Sequence, residues 1–165
     1  MYVSGVPARS KLMLDEVTIT EFRDRSRMVF TKAVHAHRPQ VIRRGADDRG
    51  LLVGLDEMWA LLADRTFSPQ VMRGDAGVSI WLPEFEVYGE GDTYPEAKAE
   101  LLREVRAYVV EYLEHADEYR RAPNRAGHLP HVVKALVAEA RGELEQAIFP
   151  PPPDPAAVRA RMAAA

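Results

Sequence analysis

The sequence predicts an α+β protein built of two small modules and a C-terminal helix. Three observations carry that expectation. Short β-prone runs alternate with amphipathic stretches along the chain. Two segments rich in turn formers, Gly45-Ala-Asp-Asp-Arg-Gly50 and Gly74-Asp-Ala-Gly77, fall between strand-like runs. A chain of 165 residues, 47% hydrophobic and 28% charged, has the material for one ordinary domain or two small cores.

Residues 1–14 read as a loose leader, with Gly5, Pro7 and Ser10 and no periodicity. Val17-Thr-Ile-Thr is a short β-prone run. Thr18 or Thr20 can cap the helix that follows, and Thr18 with Glu21 has capping-box spacing. Over residues 21–37, Phe22, Val29, Phe30, Ala33 and Val34 share a helical stripe, Arg23 and Arg27 share the outer face, and Pro39 ends the helix. Residues 40–44 and 51–55 then form a hairpin, and Asp56 caps a short helix with Met58, Trp59, Leu61 and Leu62 on its apolar side. The first module is thus β-α-β-β-α over residues 15–64.

The second module spans residues 68–119 as β-β-β-α. Strands are expected at 68–73, at 78–82 and, after Pro83, at 85–89. Thr93-Tyr-Pro-Glu96 is a helix start with both a capping box and a proline in the first turn. The helix runs to about residue 119 and buries Ala97, Leu101, Val105, Tyr108, Val109 and Tyr112. Residues 124–130 break the pattern, and a C-terminal amphipathic helix occupies 130–149. Residues 150–165 form a polyproline II spacer and tail.

Charge is distributed unevenly. Between Thr20 and Arg49, eight basic side chains face four acidic ones, a local +4, whereas everything after residue 49 carries −7 within an overall −3. A basic module joined to an acidic remainder points to a polyanion at one end and a different partner at the other. No cysteine is present, so disulfides and thiolate metal sites are excluded. The apolar runs are too short to span a bilayer and the N-terminus lacks a secretory h-region, so a cytoplasmic protein with no membrane contact is expected.

The ordered set Thr20-Glu-x-Arg23, Lys32-Ala-Val34, His37-x-Pro39, Val41-Ile-Arg-Arg44 and Leu55-Asp-Glu57 with Leu61 resembles the prevent-host-death (Phd/YefM) antitoxin family over residues 17–63. The resemblance implies a homodimer that binds a palindromic operator and represses its own toxin–antitoxin transcript. It places Arg23 and Arg44 at family positions of DNA contact, with Thr20 a further candidate in the same motif; by their chemistry Arg27, Lys32, Arg43 and Arg44 are expected to supply the contacts to phosphate. The hairpin over residues 45–49 looks longer and more acidic than the family pattern. Val78-Ser-Ile-Trp-Leu-Pro-Glu-Phe85, Gly89-Glu-Gly-Asp-Thr93 and Glu96-Ala97 resemble the HicB-type antitoxin core over residues 69–114, a β-β-β-α fold that usually has no catalytic role.

The implied partners are operator DNA, a cognate protein toxin and further copies of the chain, as a homodimer or higher homo-oligomer; no cofactor is implied. Val133, Leu136, Val137, Ala140 and Leu144 on the C-terminal helix are the expected toxin-facing stripe, flanked by Glu139, Glu143 and Glu145. Two alternatives come from other classes. One is a protein-interaction module without DNA binding. The other is a metal-dependent nuclease using Glu84, Glu86, Glu90 and Asp92, although no His or Lys nearby suggests a proton shuttle. The pairs His35/His37 and His128/His131 lack a third ligand in sequence and read as structural or surface residues.

Overall fold

The computed structural model describes residues 15–151; the leader, 1–14, and the spacer and tail over 152–165 lie outside the described residues. The α+β class holds. The chain divides after Leu61 into two compact units, and two three-stranded sheets are present, ordered β1-β2-β3 and β4-β5-β6.

In the first unit β1 (Asp15–Thr18) lies parallel to β2 (Gln40–Arg44), which pairs antiparallel with β3 (Asp48–Leu52). Thr18 caps α1 (Ile19–Asp24) in a complete capping box: its hydroxyl accepts from the Glu21 amide while the Glu21 carboxylate accepts from the Thr18 amide. The single helix expected over 21–37 is instead two. Arg25 leaves the helical region (φ −128°, ψ 27°), and α2 (Ser26–Val34) begins beyond it. Only α2 contributes buried side chains, Val29 and Ala33, so packing anchors one segment and not the other.

The hairpin also differs from expectation. Asp48, Arg49 and Gly50 belong to β3 and pair with Arg44, Arg43 and Ile42. The turn is therefore short, and the acidic loop inferred over residues 45–49 is partly strand. The third helix of this unit, α3 (Leu55–Leu61), has no buried side chain, and Glu57 on it pairs with His37, whose backbone is left-handed (φ 52°).

In the second unit β4 (Gln70–Gly74), β5 (Gly77–Leu82) and β6 (Val87–Gly91) form an antiparallel meander. The third strand starts later than expected because Phe85 turns inward and is buried in the β5–β6 connection. Along β5, Val78, Ile80 and Leu82 alternate into the core. They meet α4 (Tyr94–Glu114), on which all six side chains expected in the core are buried. The predicted helix ends earlier than residue 119: His115 (φ −110°, ψ 26°) separates α4 from α5 (Ala116–Tyr119).

Gly89 and Gly91 explain how close α4 comes. A Cβ on Gly89 would lie 2.3 Å from both the Ala97 carbonyl oxygen and the Leu101 amide nitrogen, and one on Gly91 would lie 2.7 Å from the Ala97 nitrogen. These are backbone atoms and cannot swing aside.

The C-terminal helix is likewise divided. α6 (Leu129–Ala140) and α7 (Leu144–Ile148) are separated by Gly142 in the left-handed region (φ 71°), which a residue with a Cβ adopts at a cost. Both pack into the second unit, where Val132, Ala138 and Ile148 are fully buried. The connector between the expected modules belongs here too. Phe67 is buried against Phe85 and His131, the His131 ring bonds the Thr66 carbonyl oxygen at 3.1 Å, and Lys134 Nζ donates to the Leu62 carbonyl oxygen at 3.0 Å. Lys134 is buried, and that burial holds its ammonium below the ordinary lysine range while Asp64 pulls the other way.

Two outcomes follow. Gly89→Ala should lower the unfolding free energy by about 1–3 kcal/mol or more, because the helix must lift off the sheet. Gly74→Ala, with nothing within 4 Å of its Cβ, should leave the urea midpoint nearly unchanged. His128 provides the second. Its Nδ1 meets the Tyr108 hydroxyl at 2.5 Å, and burial, aided by Arg125, pushes its pKa below the ordinary 6.5. The fold accommodates the neutral ring, so the stability it confers is complete above pH 6.5 and is lost as pH falls through the lowered folded value. Urea titrations across that acid range should show falling stability, with a shallower slope in His128→Asn.

Candidate functional site

The expected DNA-facing residues all lie in the first unit, on three elements. Thr20 and Arg23 come together: with Ile19, Phe22 and Ser26 they line an open cleft of about 490 Å³ along α1 and its junction with α2. Arg27 and Lys32 line a second cleft of about 510 Å³ with Asp24, Arg25, Met28 and Thr31. Both clefts are shallow, so they suit an extended polyanion better than an enclosed small molecule.

The cations differ in how firmly they are held. Arg23 is loosely held: its side chain is 77% exposed and pairs with its sequence neighbour Asp24 at 3.4 Å. Lys32 lies 3.8 Å from Asp15. Arg43 is more constrained: its Nε donates to Glu16 on β1 at 2.8 Å and its terminal nitrogen to the Gly45 carbonyl oxygen at 2.6 Å. Arg49 approaches the other oxygen of Glu16 at 3.6 Å, so one carboxylate ties together all three strands. Arg44, next to Arg43 on β2, points to the other face and bonds Asp48 through two nitrogens at 2.7 and 3.0 Å. Arg43 therefore fastens the sheet, whereas Arg44 remains 75% exposed beside its acidic partner. Arg25 was missed as a candidate; its place in the local run of cations is the sequence signal that marks it.

The expected toxin-facing stripe does not stay together. Val137 and Leu144 are buried in the second unit's own core, 5% and 3% exposed, because the inward face of α6 is the one carrying Val132, Ala135 and Ala138. Those two residues are not available to a partner in this fold. Leu136 and Ala140 remain exposed, and Val133 is half-buried. The ion pairs Arg106–Glu139 and Lys98–Glu145 join α4 to α6 and to α7, so the C-terminal segment runs back along α4. On α4, Val110 (55% exposed) and Leu113 (45%) are exposed apolar side chains beside the exposed Glu111 and Glu114.

The carboxylates of the nuclease alternative fall at two places, Glu84 and Glu86 in the β5–β6 connection and Glu90 and Asp92 at the far end of β6. Among the described residues no three His, Asp or Glu side chains are grouped to hold a metal ion. His35 and His37 do not converge on one another, since His37 pairs with Glu57; His128 and His131 are taken by Tyr108 and the Thr66 carbonyl. No helix among the described residues is long and apolar enough to cross a membrane.

No curated protein matches the sequence. A crystal structure from Syntrophomonas wolfei subsp. wolfei, described as an antitoxin part of a toxin/antitoxin system, is similar in fold with a TM-score of 0.66. At 20% identity it covers 81% of this chain and 96% of its own. A PHD-like family model, described as the antitoxin of toxin–antitoxin, RelE/RelB, TA system, matches residues 13–149. The match runs through both units and nearly all the described residues, and the chain belongs to this family of toxin–antitoxin system antitoxins.

Proposed function

We propose that the chain is a Phd/YefM-type antitoxin that binds operator DNA as a homodimer through its first unit, represses its own transcript and neutralises a cognate protein toxin through its second unit. The observation that carries this reading is the imbalance of the first unit. Among the described residues it buries only Val29 and Ala33 of its apolar side chains while exposing Met28, Phe30, Leu51, Leu55 and Leu61. A unit of this size with so little apolar burial is marginal alone, and a second copy seated on those residues would complete its core. The exposed cations of α1 and α2 then act twice per dimer, which suits a palindromic site.

Arg23 is the residue best placed to read a base or clamp a phosphate, since breaking its exposed pair with Asp24 costs little. Arg27, Lys32 and Arg25 supply phosphate contacts, and Arg44 does so by exchanging Asp48 for phosphate. Arg43 supports β1 instead. The toxin surface in this reading is the strip of Val110, Leu113 and Leu136, whose acidic border suits a basic partner. The β-β-β-α unit behind it serves as a HicB-like scaffold.

Arg23→Ala should weaken binding to the upstream duplex by about 1–3 kcal/mol and relax its sequence preference, whereas Lys32→Ala should weaken all duplexes alike and lower the salt dependence. Fluorescence anisotropy at fixed salt measures both. Wild-type affinity for upstream DNA no greater than for random DNA would remove the operator from the proposal and leave a protein-interaction module.

For the toxin surface, the double variant Val110→Glu/Leu136→Glu should lower toxin affinity at least ~10-fold, the scale of losing one buried anchor. Its melting temperature should stay near wild type because both side chains are exposed. Deleting the chain after Arg125 cannot serve as this test, since α6 and α7 form part of the unit's core. Unchanged toxin affinity in a folded double variant would move the toxin site elsewhere.

A further inference from the structure

The geometry points to β4 as a self-pairing edge through which two copies of the second unit join their sheets, a contact separate from the one proposed for the first unit. β4 has β5 on one side and, among the described residues, no strand on the other. Every one of its residues is exposed, including Val71 (43%) and Met72 (48%), on opposite faces of the sheet. α4 packs over β6 and β5, which leaves Val71 uncovered.

Edges of this kind are normally blunted by charged side chains, a proline or a bulge. Gln70–Gly74 has no proline and no bulge, its register with β5 running unbroken from Gln70↔Trp81 to Gly74↔Gly77. Its one charge, Arg73, lies over the Tyr94 ring of α4 at 6.0 Å. On the face away from α4, Met72 lies opposite Ser79 and diagonal to Trp81, whose ring stacks on Tyr88 at 6.1 Å with 15° between their planes.

The occupant is a second copy because the strand is complementary to itself. The one antiparallel register that uses the whole of β4 places Met72 opposite Met72 of the second copy, Val71 opposite its Arg73 and Gln70 opposite its Gly74. The single charge of the strand, Arg73, meets a neutral side chain, and Asp75 just beyond falls opposite Pro69. No like charges face each other across the pair. The contact is isologous and closes after two copies.

The chain contains no cysteine, so one introduced thiol reports this register without interference. Facing Cα atoms in an antiparallel pair stand roughly 4.5–5.5 Å apart, within disulfide reach. Mild oxidation of full-length Met72→Cys should therefore give a covalent dimer, while Tyr88→Cys, equally exposed but on β6, should remain uncrosslinked.

A second measurement uses charge. Met72→Lys and Met72→Glu should each lower the weight-average mass in sedimentation at a concentration where the wild type associates. An equimolar mixture of the two should restore it, since lysine then faces glutamate. Cross-linking of Met72→Cys no faster than of Tyr88→Cys, or no recovery on mixing, overturns the proposal. Loss of toxin capture in Met72→Lys with unchanged mass overturns it as well, because the edge would then belong to the toxin. Should self-pairing fail while the DNA and toxin affinities stand, the proposed function survives without it.

Discussion

The backbone of α4 rests on the backbone of β6, and the second unit is arranged around that approach. Gly89 and Gly91 leave no side chain between strand and helix, so Ala97 and Leu101 sit directly over the sheet. The helix axis is thereby drawn toward β6, and its apolar side closes over Ile80 and Leu82 of the neighbouring strand. Centring the helix on one side of a three-stranded sheet has a consequence on the other. β4 keeps its backbone pairing with β5, but on the α4 side only Arg73 meets the helix, over the Tyr94 ring, and Val71 stays exposed.

The opposite flank of α4 holds the C-terminal segment. Two charge pairs, Lys98–Glu145 in its first turns and Arg106–Glu139 near its middle, tie α7 and α6 to it. The pairs are partly exposed and contribute little energy individually. Their effect is to select one of the alignments that apolar packing alone would tolerate. Val110, Leu113 and Leu136 stay outside the unit's core.

The first unit follows a different logic. Its sheet is fastened by polar contacts, with Glu16 reaching Arg43 and Arg49 and Thr18 and Glu21 locking the start of α1. Apolar burial is slight, and large apolar side chains remain in contact with solvent. Polar fastening with an unfinished core is the feature on which the proposed association of the first unit rests. A single family match running from residue 13 to residue 149 shows that the two logics belong to one kind of protein.

The sequence by itself determined the α+β class, the two capping boxes at Thr18 and Thr93, the presence though not the register of the first hairpin, the β4–β5 hairpin and the buried face of α4. Each rests on contacts between residues close in the chain or on the period of one element, and local chemistry is sufficient for those. Thr20 and Arg23 were also legible as a pair, since their spacing on one short helix brings them into one cleft. The tertiary structure alone decided which face of α6 turns inward. Val137 and Leu144 look as suited to a partner as Leu136 does, but the core of the second unit claims the first two and leaves the third outside. It likewise decided that Lys134 would be buried with its ammonium on the Leu62 carbonyl, and that Arg43 would hold β1 while Arg44, one residue on, stays exposed. In each case the partner lies far along the chain, and the choice between equivalent side chains is made by distance in space, which periodicity does not contain.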